Sequence, residues 1–216
     1  MGKASLSNHG VCCDMEDLVG DVDGRIVRCL WPGMDEFYME YHDTEWGVPI
    51  ADDDGLFERI SLEGFQSGLS WITVLRKRKN FRHAFENFHI ETVARLGDKD
   101  LRILMNDEGI IRHKGKIQAT INNAQRAIEI IDEKGSLARY LWSWEPDEET
   151  RDYDTNRSLS AASAALSKDL KTRGWSWVGP TTVYSFMQAV GMVNDHSRSC
   201  HAWEKIERLR TKFIRP

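Results

Sequence analysis

Apolar side chains recurring at three- and four-residue steps restrict this chain's fold more than any other feature. From Leu56 the positions Leu56, Phe57, Ile60, Phe65 and Leu69 follow that spacing, and Trp71, Val74 and Leu75 continue it, which predicts two helices joined by a loop. Val93, Leu96, Leu101, Leu104 and Met105 predict one further helix over Glu91 to Asn106, and Ile117, Ile121, Ala124, Ile128 and Ile131 a longer one over Lys116 to Glu133. Two more follow, from about Ser160 to Lys171 and from Thr181 through Val183, Phe186, Met187 and Val190. Gly174 and a short turn, Trp175 to Pro180, separate them. No apolar–polar alternation runs long enough to build a sheet, and no internal repeat is present. The expected fold class is all-α.

A chain of 216 residues is long enough for one sizeable core and short for two. With 41% hydrophobic and 29% charged residues it has the balance of an ordinary water-soluble domain. No apolar run approaches the roughly 18 residues of a membrane helix, and Met1 to Asp14 lack a signal peptide's apolar stretch, so a cytoplasmic protein with no membrane partner is expected. Residues 1–25, polar and dotted with Gly, are read as a flexible N-terminal extension to a single helical domain over 26–216. The cysteines Cys12, Cys13, Cys29 and Cys200 are too sparse for a disulfide framework, and reduced thiols are expected. A net charge of −5 argues against bulk attraction to a polyanion. Locally, however, Arg76 to Lys79, Arg112 to Lys116 and Lys168 to Arg173 are basic, whereas Asp52 to Asp54 and Glu145 to Asp154 are acidic. Such runs serve equally as a binding face or as solvated helix surface.

Three constellations can support chemistry. The turn Val178-Gly179-Pro180 can aim the N–H groups of the following helix start at a phosphate, Gly179 permitting close approach, and the Thr181 and Thr182 hydroxyls can cap that helix or touch the phosphate. Cys29, His42, His196 and Cys200 form a Cys₂His₂ set that would close a zinc tetrahedron, His196 and Cys200 standing four apart. The spacing of Cys29 and His42 is not diagnostic, and His201, Cys12 and Cys13 are competing donors. Tyr41, Trp46, Glu63 and Trp71 would suit an extruded base, which is held by stacking on rings and read at its edge by a polar group. Rings and a carboxylate would both favour a cationic, alkylated purine. Trp46 and Trp71 fit equally well as core residues, with Glu63 a surface charge.

Four ordered segments go further. They are Tyr41-His42-Asp43-Thr44-Glu45-Trp46-Gly47-Val48-Pro49, then Leu62 to Leu75 (Leu-Glu-Gly-Phe-Gln-Ser-Gly-Leu-Ser-Trp-Ile-Thr-Val-Leu), then Gly109 to Ile117, and finally Val178-Gly179 through Tyr184 to Ala189 and on to Val193-Asn194-Asp195-His196. Together they resemble the 3-methyladenine DNA glycosylase I family. The resemblance implies a two-lobed helix–hairpin–helix glycosylase fold with the base pocket between the lobes. It also implies one structural zinc ion on Cys29, His42, His196 and Cys200 that joins the two ends of the chain. Glu63 would read the base, with Tyr41 and Trp46 in the catalytic group. Trp71 and Tyr38 would contact the substrate, and Leu69 would fill the gap left by the flipped base. Gly179, Thr181 and Thr182 would meet the DNA. Phe65, where the family often has a polar residue, would narrow the pocket mouth.

The implied reaction is hydrolysis of the N-glycosidic bond of 3-methyladenine in alkylated double-stranded DNA, by a monomeric and monofunctional enzyme. The leaving base is already cationic and needs little general-acid help. Lys114 and Lys116 are read as phosphate contacts or surface charges rather than Schiff-base lysines, and Asp195 as either a water-activating group or a support for the neighbouring metal ligand. Rival readings are a catalytically inactive zinc-containing DNA-binding module and a metal-dependent phosphohydrolase with an open site.

Overall fold

Helix α2, Asp53–Gln66, is buried on every side: each residue from Leu56 to Phe65 is shielded from solvent, the polar Glu58, Arg59, Ser61 and Glu63 with the apolar ones. The computed structural model describes residues 18–19, 26–147 and 158–216. Among these there are ten α-helices, α2 and nine others: α1 (Glu36–Thr44), α3 (Trp71–Ala84), α4 (Ile90–Ala94), α5 (Asp98–Asn106), α6 (Lys114–Lys134), α7 (Leu137–Trp142), α8 (Ala161–Thr172), α9 (Pro180–Ala189) and α10 (Trp203–Lys212). The only strands among the described residues are the two-residue β1 (Leu18–Val19) and β2 (Arg28–Cys29), paired antiparallel with Leu18 opposite Cys29. The all-α expectation therefore holds. No helix among the described residues is long and apolar enough to cross a membrane. The expected flexible extension over 1–25, apart from Leu18–Val19, and Cys12 and Cys13 with it, lie outside the described residues, as does most of the acidic stretch after Asp147.

The acidic triplet at the head of α2 is not a solvated face. Asp52 caps its own helix, accepting from Gly55 N–H at 2.7 Å. Asp53 caps α7, accepting from Leu137 and Ala138 N–H at 3.1 and 2.7 Å, and Asp54 caps α4 through Ile90 N–H at 2.9 Å. Three consecutive carboxylates thus satisfy the orphan donors of three helix starts, each interaction contributing about 1 kcal/mol. The helix predicted over Glu91 to Asn106 is two helices, α4 and α5. The chain breaks at Gly97, whose extended backbone caps α5 while its N–H donates to Asp100 at 2.9 Å. The basic tail after Cys200 forms α10. Its Arg210 is buried and donates to the Gly191 and Met192 carbonyls at 2.7 and 3.1 Å, closing the end of α9.

Candidate active site and metal centre

α1 begins at Asp35, whose carboxylate accepts from Tyr38 N–H, and turns Tyr41 and His42 inward at its C-terminal end. Trp31, just after β2, packs edge-on against Tyr38, Tyr41, His42 and Trp46 at centroid distances of 4.8, 6.3, 5.2 and 5.0 Å. Trp71, the first residue of α3, closes on Tyr41 at 5.7 Å. Against this group α2 sets Glu63, 5% exposed. Among the described residues its carboxylate has no hydrogen-bond partner. Burial pushes the Glu63 carboxyl up to about 8, with Arg59 on the same helix acting in the opposite direction. Glu63 in turn bears on the hydroxyls of Tyr38 and Tyr41, both held above the ordinary tyrosine range chiefly by burial. The structure thus brings Tyr38, Tyr41, Trp46, Glu63 and Trp71 together, and adds Trp31, which sequence reasoning missed. The indole N–H groups of Trp31 and Trp71 are buried without an acceptor among the described residues.

Leu69 lies outside this group, 42% exposed in the loop between α2 and α3. Gly68 supplies the positive φ of +81° that the turn needs. The loop is anchored by Lys116, which is neither a surface charge nor a free phosphate contact: it is buried, and its ammonium donates to the Phe65 and Ser67 carbonyls at 2.9 and 2.6 Å. The same ammonium sits 5.1 Å from the ring of Trp177. Phe65 does not narrow the pocket. It points into the core, packing on Phe81 and Phe85 at 4.6 and 5.8 Å, because its position on α2 faces α3.

α8 ends at Gly174, φ +85°, and the chain returns through Trp175 to Val178, pinned by the Ser167 hydroxyl donating to the Val178 carbonyl at 2.6 Å. Gly179 is the N-cap of α9 and Pro180 its first residue. No side chain caps this start, so neither Thr181 nor Thr182 does so, and the first-turn N–H groups have no intrahelical acceptor. A Cβ at Gly179 would meet nothing closer than 3.9 Å, which leaves its outer side open. An open groove of about 430 Å³ beside it is lined by Lys168, Lys171, Thr172 and Pro180.

On the other side of Trp46 lie Cys29, His42, His196 and Cys200, all buried, their ligand atoms within 4.8 Å of one another. Cys29 Sγ is 3.8 Å from His196 Nδ1, which is 3.2 Å from His42 Nε2; Cys200 Sγ is 3.6 Å from both imidazole nitrogens. Bonds of about 2.3 Å to sulfur and 2.0–2.1 Å to nitrogen in a tetrahedron require edges of roughly 3.3–3.8 Å. The four residues therefore fit a metal ion of that kind. The imidazole nitrogens left over are held from outside: His42 Nδ1 by Asp43 Oδ1 at 2.7 Å and His196 Nε2 by the Trp46 carbonyl at 3.2 Å. Asp43 is fixed by Arg28 through contacts of 2.7 and 2.9 Å and by His201 at 2.9 Å, so His201 supports the cluster rather than joining it. The two histidines also face the pocket wall, His42 stacked 6.2 Å from Trp46 and His196 edge-on to it at 4.5 Å. Asp195 accepts from the Tyr184 hydroxyl and from Gln188, each at 2.7 Å.

Comparison with known proteins adds a common thread. Residues 31–203 match the family model described as methyladenine glycosylase. The chain is 47% identical over 177 residues to DNA-3-methyladenine glycosylase 1 of Escherichia coli K12, covering 80% of this chain and 95% of that protein. It is 41% identical to DNA-3-methyladenine glycosylase of Haemophilus influenzae, covering 81% and 96%. Its fold superposes on a crystal structure of 3-methyladenine DNA glycosylase I with a TM-score of 0.75 at 45% identity, over 81% of this chain and 98% of that one.

Proposed function

The chain belongs to the methyladenine glycosylase family, and from that premise we propose that it excises 3-methyladenine from alkylated double-stranded DNA by hydrolysing the N-glycosidic bond, releasing the free base and leaving an abasic site. The observation that carries the reading is Glu63, a buried carboxyl that bears on Tyr38 and Tyr41, with Trp71 closing on Tyr41, and that has no hydrogen-bond partner among the described residues. A buried carboxyl without a partner is unfavourable, and an aminopurine bearing positive charge supplies both missing parts, a donor edge and a cation. In its ionised form Glu63 accepts from the exocyclic amine, the tryptophan and tyrosine rings enclose the purine, and the Tyr41 hydroxyl adds a polar contact. Because the departing base takes the bonding electrons and becomes neutral, no strong general acid is required; orientation and stabilisation of the oxocarbenium-like sugar supply the rate. Lys116, held by main-chain carbonyls, is not free to act as a Schiff-base lysine, and we read the course as monofunctional.

We read α8, the hairpin and α9 as the helix–hairpin–helix unit of a two-lobed glycosylase, with Gly179 and the open start of α9 receiving a phosphate alongside Thr181, Thr182 and the lysine-lined groove. Leu69, exposed on its clamped loop, fills the space vacated by the base. Cys29, His42, His196 and Cys200 hold a structural zinc ion that leaves no coordination position for water. The protein acts as a cytoplasmic monomer of a single helical domain over 26–216. Release of free 3-methyladenine from methylated duplex DNA tests the assignment. The wild type is expected to release it, and Glu63→Gln to lose roughly 10- to 100-fold in kcat/KM, as for the loss of one charge-assisted hydrogen bond. Binding of methylated duplex with no release by the wild type would replace this reading with that of an inactive DNA-binding module.

A further inference from the structure

Arg59 stands one helical turn before Glu63 on α2, so the two side chains leave the same face of the helix. It is 9% exposed. Its Nη2 donates to Glu45 Oε2 at 2.9 Å, whereas its Nη1 is buried with no partner among the described residues. Glu45, at the C-cap of α1, is shared with Arg78 of α3, which grips both of its oxygens at 2.5 and 2.6 Å. A buried guanidinium normally uses its donors. The open Nη1 leaves Arg59 with a donor to spare, and with Glu45 shared between two guanidiniums its charge acts on Glu63 one turn away without a direct ion pair.

The other neighbours of Glu63 do not supply that charge. α1 contributes the hydroxyls of Tyr38 and Tyr41, held neutral by burial. α3 contributes Trp71 and, through Glu45, the already paired Arg78. α9 has no charged side chain along its length, and Lys116 of α6 is occupied by main-chain carbonyls. On α2 itself Glu58 is paired with Arg82 and also bears on Arg59, while α4, α7 and the short turn Glu86–Phe88 leave Glu91, Arg139 and Glu86 at the solvent. Arg59 and Arg78 against Glu45 and Glu63 make a balanced set of two and two, provided that Glu63 is ionised.

We propose that Arg59 is a positioning residue of the base pocket: its guanidinium, tied to Glu45 on one side and open on the other, eases the ionisation of Glu63 that a cationic base requires. This rests on the reading of Glu63 as the base-contacting group. Burial alone drives that carboxyl towards neutrality, and Arg59 is the charge that opposes it. Arg59 does not touch the base; it acts through Glu63.

The test is the pH profile of kcat/KM for release of 3-methyladenine from methylated duplex, whose ascending limb reports ionisation in the free enzyme. Arg59→Met is expected to move that limb upward by about one to two pH units, with activity recovering at high pH to within a few-fold of wild type. Arg59→Lys, which retains the charge, keeps the limb near its wild-type position. Glu45→Gln, which removes the counter-charge, moves it downward and decides the matter if Arg59→Met does not fold. A loss in Arg59→Met that is uniform across pH overturns the inference and leaves Arg59 a packing residue. Glu63→Gln separates the two levels: if it abolishes the limb, only Arg59 is at stake, whereas a limb that persists in it overturns the Glu63 reading and this inference together.

Discussion

Between about pH 4.5 and 8 the folded protein holds a proton on Glu63 that the unfolded chain has already released, because burial has raised that carboxyl from 4.5 to about 8. The folded state binds more protons over this window, so the contribution of Glu63 to stability falls as pH rises through it. The effect is absent below the unfolded value and complete above the folded one. Glu63→Gln removes the titration. It is expected to match the wild type near pH 4.5 and to exceed it at pH 8.5 by about 2–4 kcal/mol, or roughly 5–15 °C in Tm. Thermal melts at the two pH values measure this, and a difference that does not change with pH would show that the carboxyl is not buried in the folded state as described. The same residue that weakens the fold is the one proposed to read the base. Glu63, Tyr41, Trp46 and the four residues that could hold a metal were picked out in the sequence by the family resemblance, their spacing and residue types alone leaving other readings open. Phe65 and Lys116 were not, since which way a side chain turns depends on partners distant in sequence: the rings of α3 for one, the carbonyls of Phe65 and Ser67 for the other. Arg59 left a trace in its four-residue step from Glu63, which gains meaning only once both are known to be buried.

At the scale of elements, the long apolar stripes announced α2, α3, α6, α8 and α9 with little error. The short helices α1, α7 and α10 were missed. Each owes its existence to tertiary support: α7 to the Asp53 carboxylate, α10 to Arg210 buried against the end of α9, α1 to the aromatic wall on its inner face. A helix of such length has little stability alone. The junction where α9 meets the segment after α1 is the tightest of these supports. Gly191 there has φ +77°, and a Cβ on it would lie 2.5 Å from the Gly47 carbonyl and 2.9 Å from Pro49 N. Both neighbours are backbone and cannot turn aside. Gly191→Ala is therefore expected to lose roughly 2–4 kcal/mol from left-handed strain and overpacking combined, lowering Tm by about 5–15 °C. A melt within 2 °C of wild type, allowing for the roughly 2–4 °C per kcal/mol of a domain this size, would mean that the two segments are not in contact.

For the molecule as a whole, the Cys₂His₂ cluster joins β2 and α1 to the segment between α9 and α10, closing a loop that spans nearly all of the described chain. The resemblance implied this convergence, and the structure brings the four residues together; the spacing of Cys29 and His42 alone encodes no meeting with His196 and Cys200. Cross-linking so long a loop restricts the unfolded chain by about 5 kcal/mol on chain-entropy grounds. One equivalent of zinc is expected in the purified protein by elemental analysis, and stripping it with a chelator is expected to lower Tm by roughly 10–20 °C. Cys200→Ser should melt at the chelated temperature and respond no further to chelator. The chemistry should respond differently. His196 reaches the pocket only through the Trp46 carbonyl and the edge of its ring, so well below the melting transition the metal-free protein is expected to retain kcat within a few-fold while KM rises as Trp46 loosens. A fall in kcat that tracks zinc content at a temperature where the protein is fully folded would instead place the ion in the reaction, and the closed four-residue site would then have to open during turnover.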